Sequence, residues 1–118
     1  DIMAKDDYHV IVYKILAYLY SCLKKGENPE KEYLLCDGAL FNIHHDYWLY
    51  IIENLVSAEY IKGITDIKVG NGYYIKNQLS TCQITPKGIH YLKGDEYMGK
   101  VLEYIKGNMA TDLIANFI

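Results

Sequence analysis

The chain has 118 residues and a formal net charge of −3 at pH 7, with 15 acidic against 12 basic side chains. That length suits one domain with a core large enough to stand without disulfides or a structural metal. With 51% apolar and 23% charged residues, the composition excludes disorder and a coiled coil, and the acidic balance argues against a strongly electrostatic, nonspecific nucleic-acid binder.

No run reaches the ~20 apolar residues of a membrane span; Ile11–Tyr20, interrupted by Lys14, reads as a buried helix. Met3 reads as the natural start, so Asp1 and Ile2 are set aside, and no secretory signal is visible. Cys22, Cys36 and Cys82 form no CxxC and are odd in number, which fits a reducing cytoplasm. All 12 basic residues are lysine, so the commonest specific base contact, arginine bidentate to guanine, is unavailable. The 13 tyrosines suit either an AT-rich genome or an aromatic contact surface.

Asp6-Asp7 can cap a helix from about Tyr8 to Lys25, with Ile11, Ile15, Leu19 and Leu23 on its apolar stripe and Gly26 as its stop. Gly26–Pro29 reads as a loop and Tyr33–Cys36 as a short extended or helical piece. Asp37 can cap a second helix through about Phe41; Asn42-Ile43 makes the turn. A third helix is expected from His44 or His45 to Ala58, with Trp48, Ile52, Leu55 and Val56 inward and Ile51 on the flank. Tyr60–Val69 reads as a strand, Gly70-Asn71-Gly72 as a tight turn, and Tyr73–Ile84 as the returning strand, because Asn-Gly between β-prone runs is a strong hairpin signal. Thr85-Pro86 starts a helix ending near Leu92–Gly94, with Ile89 and Leu92 inward. Asp95 caps a further helix with a Met98, Val101, Leu102, Ile105 stripe, and Thr111 can cap a last turn in the tail.

Three helices followed by a two-stranded hairpin predict an α+β fold, a winged helix-turn-helix over residues 1–94 with a helical extension over 95–118. Tyr47-Trp48, Ile51-Ile52, Leu55 and Glu59-Tyr60-Ile61-Lys62-Gly63, then Ile84-Thr85-Pro86-Lys87-Gly88-Ile89-His90-Tyr91-Leu92, with Met98, Lys100 and Lys106-Gly107, resemble the YjcQ-like family. The resemblance covers roughly Tyr8 to Gly107. It implies a winged-helix fold in small proteins of Gram-positive bacteria and their prophages, with DNA binding suggested by fold alone, a weak warrant for function.

On the third helix, His44, His45, Tyr47, Tyr50 and Asn54 are the candidate groove readers; Asp46 and Glu53 lie near them and would repel phosphates. On the wing, Lys62, Lys68 and Lys76, with Asn71 at the tip, are the candidate backbone contacts, or else solvated edge protection. Met98, Val101, Leu102 and Ile105 either form a dimer interface or pack back on the first helix. His9, His44, His45, His90 and the cysteines lack zinc-site spacing, and no nucleophile or phosphate-loop motif is present, so neither metal nor cofactor nor catalysis is expected. The expected function is a cytoplasmic DNA-binding regulator of phage or prophage type, with double-stranded DNA and a second copy as partners. The alternative is a winged-helix protein-interaction module that binds no nucleic acid.

Overall fold

The computed structural model describes residues 3–65 and 73–118. It is a helix-rich α+β fold built around its first helix, α1 (Tyr8–Lys25). Every residue from Val10 to Leu19 is buried, so α1 runs through the core rather than along its edge. It packs against α3 (His45–Ser57), α5 (Pro86–Gly94), α6 (Glu96–Asn108), strand β2 (Gln83–Ile84) and the C-terminal 3-10 turn at Leu113–Phe117. Among the described residues no helix is long and apolar enough to cross a membrane.

Helix α1 has the predicted bounds. Asp7 sits at its N-cap, although the carboxylate accepts from the Ala4 N–H (2.9 Å) rather than from the helix. Gly26, at φ 68°, closes the other end: its N–H donates to the Leu23 carbonyl and that of Glu27 to Cys22. Lys14 is buried in this helix. Its ammonium donates to the Leu40 carbonyl (2.8 Å) and lies 3.7 Å from Asp112 Oδ2, tying α1 to the following loop and to the C-terminal segment.

The second helix is not where Asp37 suggested. Helix α2 spans Lys31–Leu34, and residues 35–44 are turns and extended backbone. The Gly38 N–H donates to the Leu35 carbonyl and the Ala39 N–H to Glu32, so these groups close the end of α2 instead of starting another helix. A Cβ at Gly38 would strike the Glu32 carbonyl, which is why glycine stands there. Leu40 and Phe41 plug the core, and Trp48 of α3, fully buried, donates its indole N–H to the Leu34 carbonyl (2.8 Å). Trp48, Ile52 and Leu55 face inward as expected; Ile51 is also fully buried, whereas Val56 is only half-buried.

After α3 and its C-cap Ala58, Glu59 adopts a left-handed φ of 62° and the chain enters β1 (Ile61–Lys62). Strand β1 pairs antiparallel with β2, Ile61 opposite Ile84 and Lys62 opposite Gln83, the two isoleucines pointing into the core. The expected long hairpin is corrected here. The returning segment forms helix α4 (Tyr73–Gln78) and a 3-10 turn (Leu79–Thr81), leaving two residues in each strand. Ile75 and Leu79 explain the choice. Both are buried; a strand would place Asn77 beside them on that face, while the helix turns Asn77 to solvent. The Gln78 side chain accepts from the Thr65 N–H (2.6 Å) and donates to its carbonyl, fastening α4 to the chain after β1. The expected turn at Gly70-Asn71-Gly72 lies outside the described residues.

Thr85 caps α5 by accepting from the Gly88 N–H (3.0 Å), with Pro86 in the first turn. Of the two residues expected inward, Leu92 is buried and Ile89 half-buried. Asp95 caps α6 through the Met98 N–H (3.0 Å). Met98, Val101 and Ile105 are fully buried in the chain's own core, on a helix packed against α1, and Leu102 is half-buried. Asp112, not Thr111, caps the last turn, and Ile114 is buried there.

Candidate functional site

Helix α3 presents its outer face beside the start of α1. Tyr50 is 59% exposed and meets Tyr8 edge to face, ring centres 6.0 Å apart. Tyr8 makes a second edge contact with His9 (5.0 Å), which in turn meets Tyr97 at the start of α6 (4.9 Å). Tyr97 is 44% exposed. Nearby, Tyr60 stacks on Tyr91 of α5, with centres 4.4 Å apart and planes 8° from parallel, and the Lys87 ammonium lies over the Tyr60 ring. Each tyrosine–tyrosine pair adds ~0.5–1.5 kcal/mol beyond buried area, which helps hold the rings in place.

These rings form one surface. Burial pushes the Tyr8 hydroxyl up from its ordinary value, with Tyr50 and Tyr60 adding to the shift. Burial likewise raises Tyr91 to about 12, reinforced by Asp95 and by Tyr60, Tyr8 and Tyr97. Tyr47 is raised by burial, then by Asp7 and Asp6, and its hydroxyl donates to the Asp6 carbonyl (2.8 Å). At neutral pH the Tyr8, Tyr47 and Tyr91 hydroxyls are therefore uncharged. Beside Tyr60 and Tyr91 opens a cleft of ≈ 340 Å³, lined also by Lys87, His90 and Glu96.

The expected DNA-contact residues meet different fates. His44 caps α3, its Nδ1 accepting from the Asp46 N–H (3.0 Å). His45 lies against Trp48 and 3.8 Å from the Asp46 carboxylate. Asn54 uses its amide on the Tyr50 carbonyl of its own helix (2.7 Å). Of the five, Tyr50 and His44 are exposed, and His44 has one ring nitrogen taken by the cap. Lys62 is exposed on β1 and Lys76 half-exposed on α4, rather than on the two strands of one hairpin. Lys68 and Asn71 lie outside the described residues.

The tyrosine excess is visible in the sequence, but nothing there marks Tyr8, His9, Tyr60, Tyr91 or Tyr97 as members of one face. The signal was their abundance; no local spacing links positions that lie on separate elements. Among the described residues no group of three His, Cys, Asp or Glu could hold a metal ion. Cys22 and Cys82 are buried, and burial pushes both thiols up, Cys82 to about 12, so they stay protonated at neutral pH.

Neither a curated protein nor a solved structure matches the chain. The model of the YjcQ protein family matches residues 13–109, from within α1 to the end of α6, and the chain belongs to that family.

Proposed function

We propose that this chain is a winged-helix-like protein-interaction module, without catalytic activity of its own, which captures a protein partner on its tyrosine face. The winged-helix reading is supported by element order: α3 leads into β1, residues 63–82 make an excursion in the wing's place, and β2 returns beside β1 before α5. The interaction reading rests on one observation, the run of ring contacts from Tyr50 through Tyr8 and His9 to Tyr97 that stays open to solvent at both ends. Pre-ordered aromatic rings supply contact area at low entropic cost, and tyrosine is enriched at binding hot spots. Three free thiols suit a reducing compartment such as the cytoplasm.

A second reading, DNA binding through α3 with the excursion on the backbone, draws support from Lys62, Lys68 and Lys76, spaced along or beside that excursion. Against it stand Asp46 and Glu53 on α3 and the absence of any lysine there. Anisotropy titration of labelled duplex DNA at roughly 50 and 200 mM salt separates the two, since phosphate-driven affinity changes steeply across that window. The interaction reading expects no binding tighter than about 100 μM at the lower salt. Micromolar binding that weakens with salt and is lost on charge reversal at Lys68 and Lys76 would put the DNA reading first.

A further inference from the structure

The lysines that the wing does not gather are gathered elsewhere. A groove of ≈ 190 Å³ lies where the later part of α1, the end of α5, α6 and the C-terminal turn meet. Leu92, Leu102, Ile118 and the ring of Tyr20 give it an apolar lining. Lys24, Lys93 and Lys106, all exposed, stand on its rim, one from each of the three helices, and no Asp or Glu side chain lines it. The Lys24 ammonium sits 4.5 Å from the centre of the Tyr20 ring. Among the described residues the ion pairs join Lys14 to Asp112 and His45 to Asp46, and none joins these three ammonium groups to a carboxylate. In a chain of net charge −3, three cations around one apolar groove run against the overall charge balance.

We propose that this groove docks an acidic amphipathic peptide segment of a partner protein, one apolar side chain seated on Leu92 and Leu102 and flanking carboxylates paired with Lys24, Lys93 and Lys106. The volume selects this occupant. It accepts a leucine or phenylalanine side chain and falls below the ~300 Å³ at which small-molecule pockets begin. Single-stranded nucleic acid fits less well, because Tyr13 is buried, Lys24 covers Tyr20, and Phe117 packs against Tyr18 and Tyr33 with the Lys25 ammonium over its ring, leaving little free aromatic face for a base to stack on. Complementary charge around an apolar anchor sets register and speeds encounter. The groove is independent of the tyrosine face: Lys24 lies 16 residues after Tyr8 on α1, about 24 Å along the helix axis.

The test is anisotropy of a fluorescein-labelled peptide of Glu and Asp carrying Leu and Phe at helical spacing, titrated with the full chain. A counterpart with Ser in place of Leu and Phe, and a thymidine oligonucleotide, serve as competing probes. The expected result is binding at roughly 10–100 μM that weakens as salt rises from about 50 to 200 mM. Lys24→Glu, Lys93→Glu and Lys106→Glu together should weaken it about tenfold or more, the glutamine versions should fall between, and Tyr50→Ala should leave it unchanged. The Ser peptide should bind at least about tenfold more weakly than its parent. Failure of the parent peptide to bind below about 1 mM, indifference to the triple reversal in a folded variant, or tighter binding of the oligonucleotide than of the peptide would each overturn the proposal.

Discussion

Lys14→Met tests whether the buried ammonium holds the fold together. The Lys14 side chain is 4% exposed; it donates to the Leu40 carbonyl at 2.8 Å and faces Asp112 at 3.7 Å. Methionine fills a similar volume, so packing is conserved while the donor is lost. A lost hydrogen bond to a charged group costs ~1.5–3 kcal/mol, and an unpartnered buried carbonyl ~1–3. Asp112 is a third exposed and recovers water, so its loss of a partner adds little. Relief of the ammonium's desolvation opposes all of this and can offset much of it. The expected net loss is about 2 kcal/mol, which for 118 residues lowers Tm by roughly 8 °C. The sign with pH is also defined. Burial lowers the Lys14 pKa below its ordinary 10.5, outweighing the opposing pull of Asp112. Between the folded value and 10.5 the unfolded chain binds more protons, so this group's contribution to stability rises with pH in that window. The stability of the wild type minus that of Lys14→Met, from urea melts at several pH values, should therefore grow toward pH 10.5. A variant as stable as the wild type at neutral pH, or a difference that shrinks with rising pH, would refute the reasoning.

Other expectations follow from particular contacts. A Cβ at Gly88 would strike the Tyr60 carbonyl and come within 2.9 Å of Ile84 Cγ1, so Gly88→Ala should cost about 1–3 kcal/mol in a urea melt. Glu59 holds a left-handed φ of 62° after α3, a conformation costing ~1–2 kcal/mol for a residue with a Cβ. Glu59→Gly should therefore raise Tm by about 2–4 °C after the glycine's own entropy is counted. Burial raises the pKa of Tyr8, Tyr13, Tyr18, Tyr47 and Tyr91 above 10.0, so the unfolded chain ionises first and stability falls as pH climbs past 10. Tyr91→Phe should soften that alkaline decline, read as the slope of Tm against pH.

How much of this was legible in the sequence depended on whether the decisive contact was local. Capping residues marked three helices, because Gly26, Thr85 and Asp95 act on atoms a few residues away. The segment Ile84–Leu92 carried its own reasons: Ile84 pairs with Ile61, Thr85 caps α5 and its hydroxyl donates to the Glu59 carbonyl, and Gly88 admits the Tyr60 backbone. Asp37 misled because a cap needs a helix after it, and Gly38 is instead drawn under the carbonyls of α2. In the segment after residue 72, Ile75 and Leu79 satisfy a strand period as well as a helical one; only Asn77 between them separates the two, and β-prone neighbours outweighed it. The tyrosine face and the Lys14 tether were not readable, since both join residues from distant parts of the chain: Tyr8 meets Tyr50, and Lys14 meets Leu40 and Asp112.

The most direct test of the tyrosine face as a docking surface is a photo-crosslinking residue placed at Tyr50, in cells that natively express the chain. The account predicts a discrete protein adduct that is lost when Tyr97→Ala is added in a variant that remains folded. An adduct to DNA in place of protein, or a protein adduct that Tyr97→Ala leaves undiminished, would contradict it.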